Sequence, residues 1–125
     1  MNISASVRRV LVLFSFIATV GILSSCEKYT YSPPEVDPDE EWSLSTDIQP
    51  IFTANCVTCH GGIVTPNLRD GQSHNSLTSG NYVDNPAETS RLYVKITTDS
   101  DHQKLLTEAE RLRILYWIEQ GAENN

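Results

Sequence analysis

Two cysteines and a histidine stand within five consecutive residues near the middle of the chain, in the order Cys56-Val57-Thr58-Cys59-His60. On a helix, residues three apart lie on the same face, so both thiols can reach the two vinyl groups along one edge of a porphyrin. Once the two thioether bonds form, the imidazole of His60 is held under the iron and supplies a proximal ligand. This spacing is the attachment motif of c-type haem, and it predicts one covalently bound haem c.

The same residue types also occur in two other kinds of site. A structural zinc site needs four ligands, usually with a second ligand pair at a typical spacing, and the chain offers neither a fourth ligand nor such a pair. A thioredoxin-like dithiol expects a strand before the motif and a βαβ context, whereas the residues before Cys56 favour a helix. Zinc and a redox dithiol stay open as alternatives, and haem is the leading hypothesis.

The beginning of the chain is typical of an exported protein. A pair of arginines precedes an apolar run over residues 10–23, which is too short for a comfortable membrane span and has the layout of a secretory signal. The run ends in Leu-Ser-Ser before Cys26, which resembles the lipobox of bacterial lipoproteins. That resemblance implies that residues 1–25 are a removed signal peptide and that Cys26 carries a lipid. The alternative is an uncleaved signal anchor, with Cys26 an ordinary thiol.

The next stretch, residues 26–42, is rich in proline and acidic residues and predicts a linker. Proline stiffens such a segment and like charges extend it. At about 3.3 Å per residue its reach is on the order of 50 Å, enough to lift a small domain clear of a membrane surface. We therefore expect a lipid-anchored protein of the cell envelope, exposed to the periplasm or to the cell exterior.

The net charge restricts the partners that we expect. Nine basic residues stand against sixteen acidic residues, which gives a formal net charge of −7. Loss of Arg8 and Arg9 with the leader leaves seven basic residues, and the net charge becomes −9. A surface this acidic argues against nucleic acid and favours a redox partner protein with a basic docking patch.

The remaining residues, 43–125, predict one small all-α domain. The first helix is expected over residues 47–55, with Asp47 as its N-cap and Pro50 at its third position, where no backbone donor is needed. Three apolar residues at i, i+3 and i+4 should form one buried stripe on this helix. They are Ile48, Ile51 and Phe52.

Two more helices are marked by their ends. A middle helix is expected to begin at Asn85-Pro86, after a Gly/Asn/Ser-rich loop with one helical turn near residues 73–77. A last helix should begin at a capping box formed by Thr107 and Glu110, and end at Gly121. The side chains expected to be buried on these two helices are Leu92, Tyr93, Ile96, Leu112, Leu115, Tyr116 and Ile118. A domain this small has a marginal core, so the haem is expected to be part of the fold.

This order of features resembles a monohaem class I c-type cytochrome of the bacterial lipoprotein-anchored kind. The likeness rests on the haem motif, on Ile-Gln-Pro-Ile-Phe at residues 48–52 and on Trp-Ile-Glu-Gln-Gly-Ala at residues 117–122. It implies a small cytochrome c-like fold of three to five helices around one haem, with single-electron transfer as the function. It also implies that a carbonyl of the loop after the motif orients His60, that Pro66 lies on the proximal side and that Leu68 touches the ring. Arg69 is then either a partner of a haem propionate or a solvated surface residue.

The chain departs from this family at the distal ligand. Family members usually carry a methionine shortly before the last helix, whereas the single methionine here is Met1, which leaves with the leader. His102 lies close to where that methionine would stand, and imidazole is a good iron ligand. We therefore expect iron ligated by His60 and His102, with Lys104, His74 or an open position as the alternatives.

The sixth ligand decides between functions. A haem with two strong protein ligands moves electrons but does not readily bind a substrate, whereas an open site would make a haem-based gas sensor or a peroxidase-like enzyme. A structural haem domain docked on a larger complex is a third possibility. The sequence shows no Ser/His/Asp grouping and no Gly-rich phosphate loop, so we favour an electron carrier over an enzyme.

Overall fold

The computed structural model describes residues 35–125, and this part of the chain is helical with no β-strand. The expected all-α class is confirmed. The predicted signal peptide at residues 1–25, Cys26 and the linker as far as residue 34 lie outside the described residues. No helix within residues 35–125 has the length and apolar character needed to cross a bilayer.

Six α-helices are present in the described part, together with one π-helical turn (Leu44–Ile48) and one 3₁₀ turn (Ala87–Thr89). The helices are α1 (Gln49–Asn55), α2 (Val57–His60), α3 (Ser73–Ser79), α4 (Arg91–Thr98), α5 (Ser100–Gln103) and α6 (Glu108–Glu119). Two of them, α2 and α5, are only four residues long. Such short segments are less than two turns and leave no periodic apolar pattern in the sequence.

The first helical segment begins earlier than predicted. Its N-cap is Ser43, whose hydroxyl accepts a hydrogen bond from the Thr46 amide at 3.5 Å, and the π-helical turn joins this cap to α1. The prediction of Asp47 as N-cap is wrong, because Asp47 lies inside the turn and its carboxylate accepts from the Ser43 amide at 3.0 Å. The predicted end at Asn55 is confirmed. The predicted stripe is also confirmed, with Ile48, Ile51 and Phe52 all buried.

The middle helix begins later than predicted. Ser90 is the N-cap of α4 and its hydroxyl accepts from the Tyr93 amide at 3.4 Å. The predicted start at Asn85-Pro86 is wrong, because Pro86 precedes the separate 3₁₀ turn instead. The helical turn predicted near residues 73–77 is confirmed and extends through α3 to Ser79.

Both ends of α6 match the prediction. The Thr107 hydroxyl accepts from the Glu110 amide at 3.3 Å, and the Glu110 carboxylate accepts from the Thr107 amide at 2.7 Å, which completes the capping box. At the other end Gly121 adopts φ +104°, a conformation that glycine enters without strain. There the last turn closes through two backbone bonds typical of a Schellman motif.

The core is formed where α6 packs against the π-helical turn, the 3₁₀ turn and α4. The two largest side chains that are completely buried, Phe52 and Trp117, belong to the same core. Of the residues predicted to be buried, three are only half-buried: Tyr93, Leu112 and Tyr116. The buried residues of α6 are Ile114, Leu115, Trp117 and Ile118.

The last linker residue and the end of the chain both pack on this core. Trp42 is buried with 6% of its surface exposed, and its amide donates to Oε1 of Gln120 at 3.0 Å. Asn125 accepts hydrogen bonds from the Ser45 amide at 3.0 Å and, through its side chain, from the Leu44 amide at 2.9 Å. These bonds satisfy amides at the start of the first helical segment, which have no partner within it. The packed part of the chain therefore includes Trp42 and extends into the residues that were predicted to be linker.

Candidate functional site

The Cys-x-x-Cys-His motif continues the first helix after a break at Cys56. The Cys56 amide donates to the Phe52 carbonyl at 2.9 Å, and the His60 amide donates to the Cys56 carbonyl at 2.9 Å. Both thiols are free, with Cys56 half-buried and Cys59 exposed. Burial, reinforced by the negative charge of Glu110, raises the pKa of the Cys56 thiol to about 11. Cys56 is therefore held as a neutral thiol on the inner side of the motif.

The loop after the motif fixes the ring of His60. Nδ1 of His60 donates to the Pro66 carbonyl at 3.1 Å, and the Leu68 amide donates to the His60 carbonyl at 2.8 Å. The sequence led us to expect a carbonyl of this loop as the partner of His60, and Pro66 supplies it. Because Nδ1 carries the proton in this bond, Nε2 of His60 is left with a lone pair that can bind a metal.

His102 is held by the residue that begins its helix. Asp99 is the N-cap of α5, and its Oδ1 accepts from Nδ1 of His102 at 2.7 Å. Its Oδ2 accepts from Nζ of Lys95, also at 2.7 Å. Hydrogen bonds from Lys95 and from His102 lower the pKa of the Asp99 carboxyl far below its usual range, so the carboxylate is ionised. In the neutral imidazole, this bond leaves Nε2 of His102 as the nitrogen with a free lone pair.

These two imidazoles lie side by side although they come from distant parts of the sequence. The ring centroids of His60 and His102 are 6.3 Å apart and the ring planes are inclined by 54°. Within residues 35–125, Nε2 of neither ring takes part in a hydrogen bond. Two imidazoles that bind one metal from opposite sides, each through a bond of about 2 Å, have their centroids about 6 Å apart. The spacing therefore fits two axial ligands of a single metal ion.

Both histidines line one cavity of about 360 Å³, which Cys56 also lines. Its volume lies within the range of roughly 300–1,000 Å³ that is typical of cofactor sites. Most of its wall is apolar, as a porphyrin ring requires. The apolar or aromatic residues that form it are Pro66, Leu68, Tyr82, Leu92 and Ile96. The apolar lining and the donor set suit one face of a haem attached at Cys56, while Cys59 is exposed and is not among the lining residues.

The alternative distal ligands lie elsewhere. His74 is on α3, where its Nε2 bonds the Ala122 carbonyl at 3.0 Å, and it does not line this cavity. Lys104 is exposed and pairs with Asp101 at 2.7 Å. Arg69, the candidate partner of a propionate, is exposed and bonds Oδ1 of Asn67 at 3.3 Å, also away from the cavity.

Two basic residues at the cavity were not singled out from the sequence. Arg91 and Lys95 lie one turn apart on α4 and both line the cavity. The Arg91 guanidinium stands 4.2 Å from the centre of the Tyr82 ring and donates to the Gly80 carbonyl at 3.0 Å. Their positive charges suit the carboxylates of a haem. Each directly precedes a buried residue of α4, Leu92 or Ile96, and this pattern could have indicated them in the sequence.

In the part of the chain that the structure describes, no three or more His, Cys, Asp or Glu side chains are grouped to hold a metal ion. In this part of the chain, His60 and His102 therefore offer two protein ligands for a metal. Haem iron takes one or two axial ligands from the protein, because the porphyrin supplies the other nitrogens. A structural zinc ion takes four.

No family model matches this chain, and neither a curated protein nor a solved structure matches it.

Proposed function

We propose that this protein is a membrane-tethered c-type cytochrome that carries single electrons on one covalently bound haem. The observation that carries the proposal is the pair of imidazoles, His60 and His102, 6.3 Å apart beside an apolar cavity. Cys56 lines the same cavity, so the attachment motif and the distal histidine meet at one place.

Each residue of the site has a distinct role in this proposal. Cys56 and Cys59 would hold the haem through thioether bonds, and His60 and His102 would be the proximal and distal ligands of its iron. A bound haem supplies a one-electron couple between ferric and ferrous iron. With both imidazoles bound to the iron, no position would remain open for a substrate. This arrangement favours electron transfer over enzymatic catalysis.

The proposed fold is a small cytochrome c-like fold in which the helices surround one haem. Three of the cavity residues, Leu68, Leu92 and Ile96, are also members of the hydrophobic core. A large apolar ring in the cavity would extend that core and join α4 to the loop that follows the motif. Haem is then a part of the folded structure as well as its redox group.

The proposed location follows from the start of the sequence. A signal peptide over residues 1–25 and a lipid on Cys26 would anchor the domain in the cell envelope, facing the periplasm or the cell exterior. The linker up to residue 42 would separate the domain from the membrane surface. With seven basic and sixteen acidic residues after removal of the leader, the protein should dock a redox partner through a basic patch on that partner.

A pair of histidine variants tests the assignment of the distal ligand. His102→Ala should convert the low-spin haem to a high-spin or water-ligated form that binds carbon monoxide readily, because the sixth position becomes accessible. His74→Ala is the matched control, since His74 does not line the cavity, and its spectrum should remain that of the wild type. If His102→Ala stays low-spin and carbon monoxide binding does not change, His102 is not the ligand.

A further inference from the structure

The carboxylate of Asp99 bonds groups on two helices, α4 and α5, at the distal side of the site. One oxygen, Oδ1, accepts from Nδ1 of His102 at 2.7 Å, and the other, Oδ2, accepts from Nζ of Lys95 at 2.7 Å. Oδ1 also accepts from the backbone amides of Asp101 at 3.1 Å and His102 at 3.2 Å. Asp99 therefore caps the short helix α5 and holds the ring that this helix carries.

The two imidazoles differ in the group that accepts their Nδ1 proton. His60 donates to a neutral backbone carbonyl, that of Pro66, at 3.1 Å. His102 donates to the side-chain carboxylate of Asp99 at 2.7 Å, and aspartate ordinarily carries a negative charge at neutral pH. Hydrogen bonds to charged acceptors are shorter and about twice as strong as neutral ones. A carboxylate partner also raises the basicity of an imidazole that binds a metal through its other nitrogen.

We propose that Asp99 is the positioning residue of the distal ligand: its carboxylate fixes the ring of His102 with Nε2 free, and makes that nitrogen a stronger donor to ferric iron. The inference rests on the proposed function, because it requires that His102 bind the haem iron. Extra electron density on Nε2 stabilises the ferric form more than the ferrous form. Asp99 therefore lowers the reduction potential below the value that a neutral acceptor would give.

A purely structural role for Asp99 would be the capping of α5. Asparagine and serine are N-cap residues about as good as aspartate, so both variants keep that role. In Asp99→Asn the side-chain oxygen still reaches the ring, but it is no longer charged. In Asp99→Ser the cap remains and the shorter side chain does not reach Nδ1 of His102. Asp99→Asn thus removes the charge and keeps the cap, whereas Asp99→Ser removes the charge and the hydrogen bond to His102 and keeps the cap.

The experiment measures the reduction potential and the rate of carbon monoxide binding in the purified holoprotein. Asp99→Asn should stay low-spin with an upward shift in potential. Asp99→Ser should shift the potential upward and also bind carbon monoxide faster, because the ring of His102 is released. Asp101→Asn is the matched control: it removes the same charge from the same helix, but Asp101 is 82% exposed and pairs with Lys104. The shift in reduction potential of Asp101→Asn should be clearly smaller than that of Asp99→Asn.

The result that overturns the proposal is an Asp99→Asn potential equal to that of the wild type or to that of Asp101→Asn. In that case Asp99 acts only as a cap, or only through a general surface charge. This result is distinguishable from failure of the proposed function, in which the wild type itself is high-spin and binds carbon monoxide, or His102→Ala remains low-spin. Either of those outcomes removes the basis for the role of Asp99 as well.

Discussion

Gln49 is the buried polar residue that connects the haem motif to its neighbours. Its Nε2 donates to the Leu68 carbonyl at 2.9 Å, and its Oε1 accepts from the hydroxyl of Ser73, the first residue of α3. Leu68 in turn donates its amide to the carbonyl of His60. One side chain of α1 therefore orders the loop that orients the imidazole of His60.

Gln49→Leu should destabilise the holoprotein. The substitution leaves the Leu68 carbonyl and the Ser73 hydroxyl buried without their partner, and such loss costs roughly 1–3 kcal/mol in the free energy of unfolding. Urea unfolding of variant and wild type measures the difference. Gln103→Leu, at an exposed position, is the control and should stay within about 0.5 kcal/mol of the wild type. A Gln49→Leu protein as stable as the control would show that this network contributes little.

The residues of the site could be predicted from the sequence only in part. The spacing of Cys56, Cys59 and His60 is by itself typical of a haem attachment motif. Because no methionine stands shortly before the last helix, the sequence makes His102 the candidate for the distal ligand. Asp99 could not be found in this way, because its role depends on a four-residue helix that leaves no periodic pattern. Arg91 was not singled out either, and its place directly before the buried Leu92 is the one signal that could have indicated it.

At the scale of the element, α6 is the helix whose ends are most strongly determined by local sequence. Partial burial tends to raise the pKa of the Glu110 carboxyl, but hydrogen bonds from Thr107 and from Asn55 outweigh it, so the net pKa is lowered. The Asn55 bond, at 3.2 Å, also joins the end of α1 to the start of α6. Glu110 thus links α1, the helix before the Cys-x-x-Cys-His motif, to the last helix.

Glu110→Gln should lower stability near neutral pH and have little effect in acid. Because the pKa of Glu110 is lowered in the folded protein, its contribution to stability is fully present above the pKa in the unfolded chain, about 4.3. That contribution is lost as the pH falls through the lower pKa in the folded protein. We expect the variant to be about 0.5–1 kcal/mol less stable at pH 7, since it loses a carboxylate at a helix N-terminus, and similar to wild type near pH 3. Urea unfolding at both pH values measures this.

Glu119→Gln is the control for removing a carboxylate from α6. Glu119 is exposed in the last turn, where a negative charge is unfavourable to the helix, so this variant should lose no stability at pH 7. Two results would contradict the role assigned to the capping box. One is an equal loss of stability at pH 7 in Glu110→Gln and Glu119→Gln, and the other is a loss of stability in Glu110→Gln that persists unchanged in acid.

The helix starts that were predicted wrongly have a common physical cause. In the first helical segment, Ser43 and Asp47 are both residue types that cap well, and Ser43 is the N-cap because Asn125 accepts from the Leu44 and Ser45 amides of the turn that follows it. At α4, Pro86 precedes a separate 3₁₀ turn, and Ser90 is the N-cap of the α-helix. Local signals identify candidate caps, whereas contacts distant in the sequence select among them.

At the scale of the whole molecule, haem attachment and folding are expected to be coupled. A domain of this size has a marginal core, and three of its core residues line the cavity. Replacing both Cys56 and Cys59 by alanine should therefore leave an apo chain with little cooperative helical structure by far-UV circular dichroism. Cys59→Ala alone is the control and should keep one thioether and the fold. A cooperatively folded double variant without haem would contradict the coupling.

The anchor is tested separately from the domain. Cys26→Ser should release the protein into the soluble fraction or block its processing, because no lipid can then be attached. Fractionation with mass spectrometry of the wild type measures this, and the haem spectrum serves as the control because it should be unchanged. A wild-type protein with no lipid, or a variant that fractionates as the wild type does, would contradict the lipid anchor.

The most direct test of the central claim is the absorption spectrum of the purified holoprotein in both oxidation states, with and without carbon monoxide. Ligation by His60 and His102 predicts a low-spin haem with no far-red methionine-to-iron charge-transfer band and little binding of carbon monoxide in the reduced form. A wild-type protein that is high-spin and binds carbon monoxide readily would contradict this ligation. A gas sensor or a peroxidase-like enzyme would then be the better description.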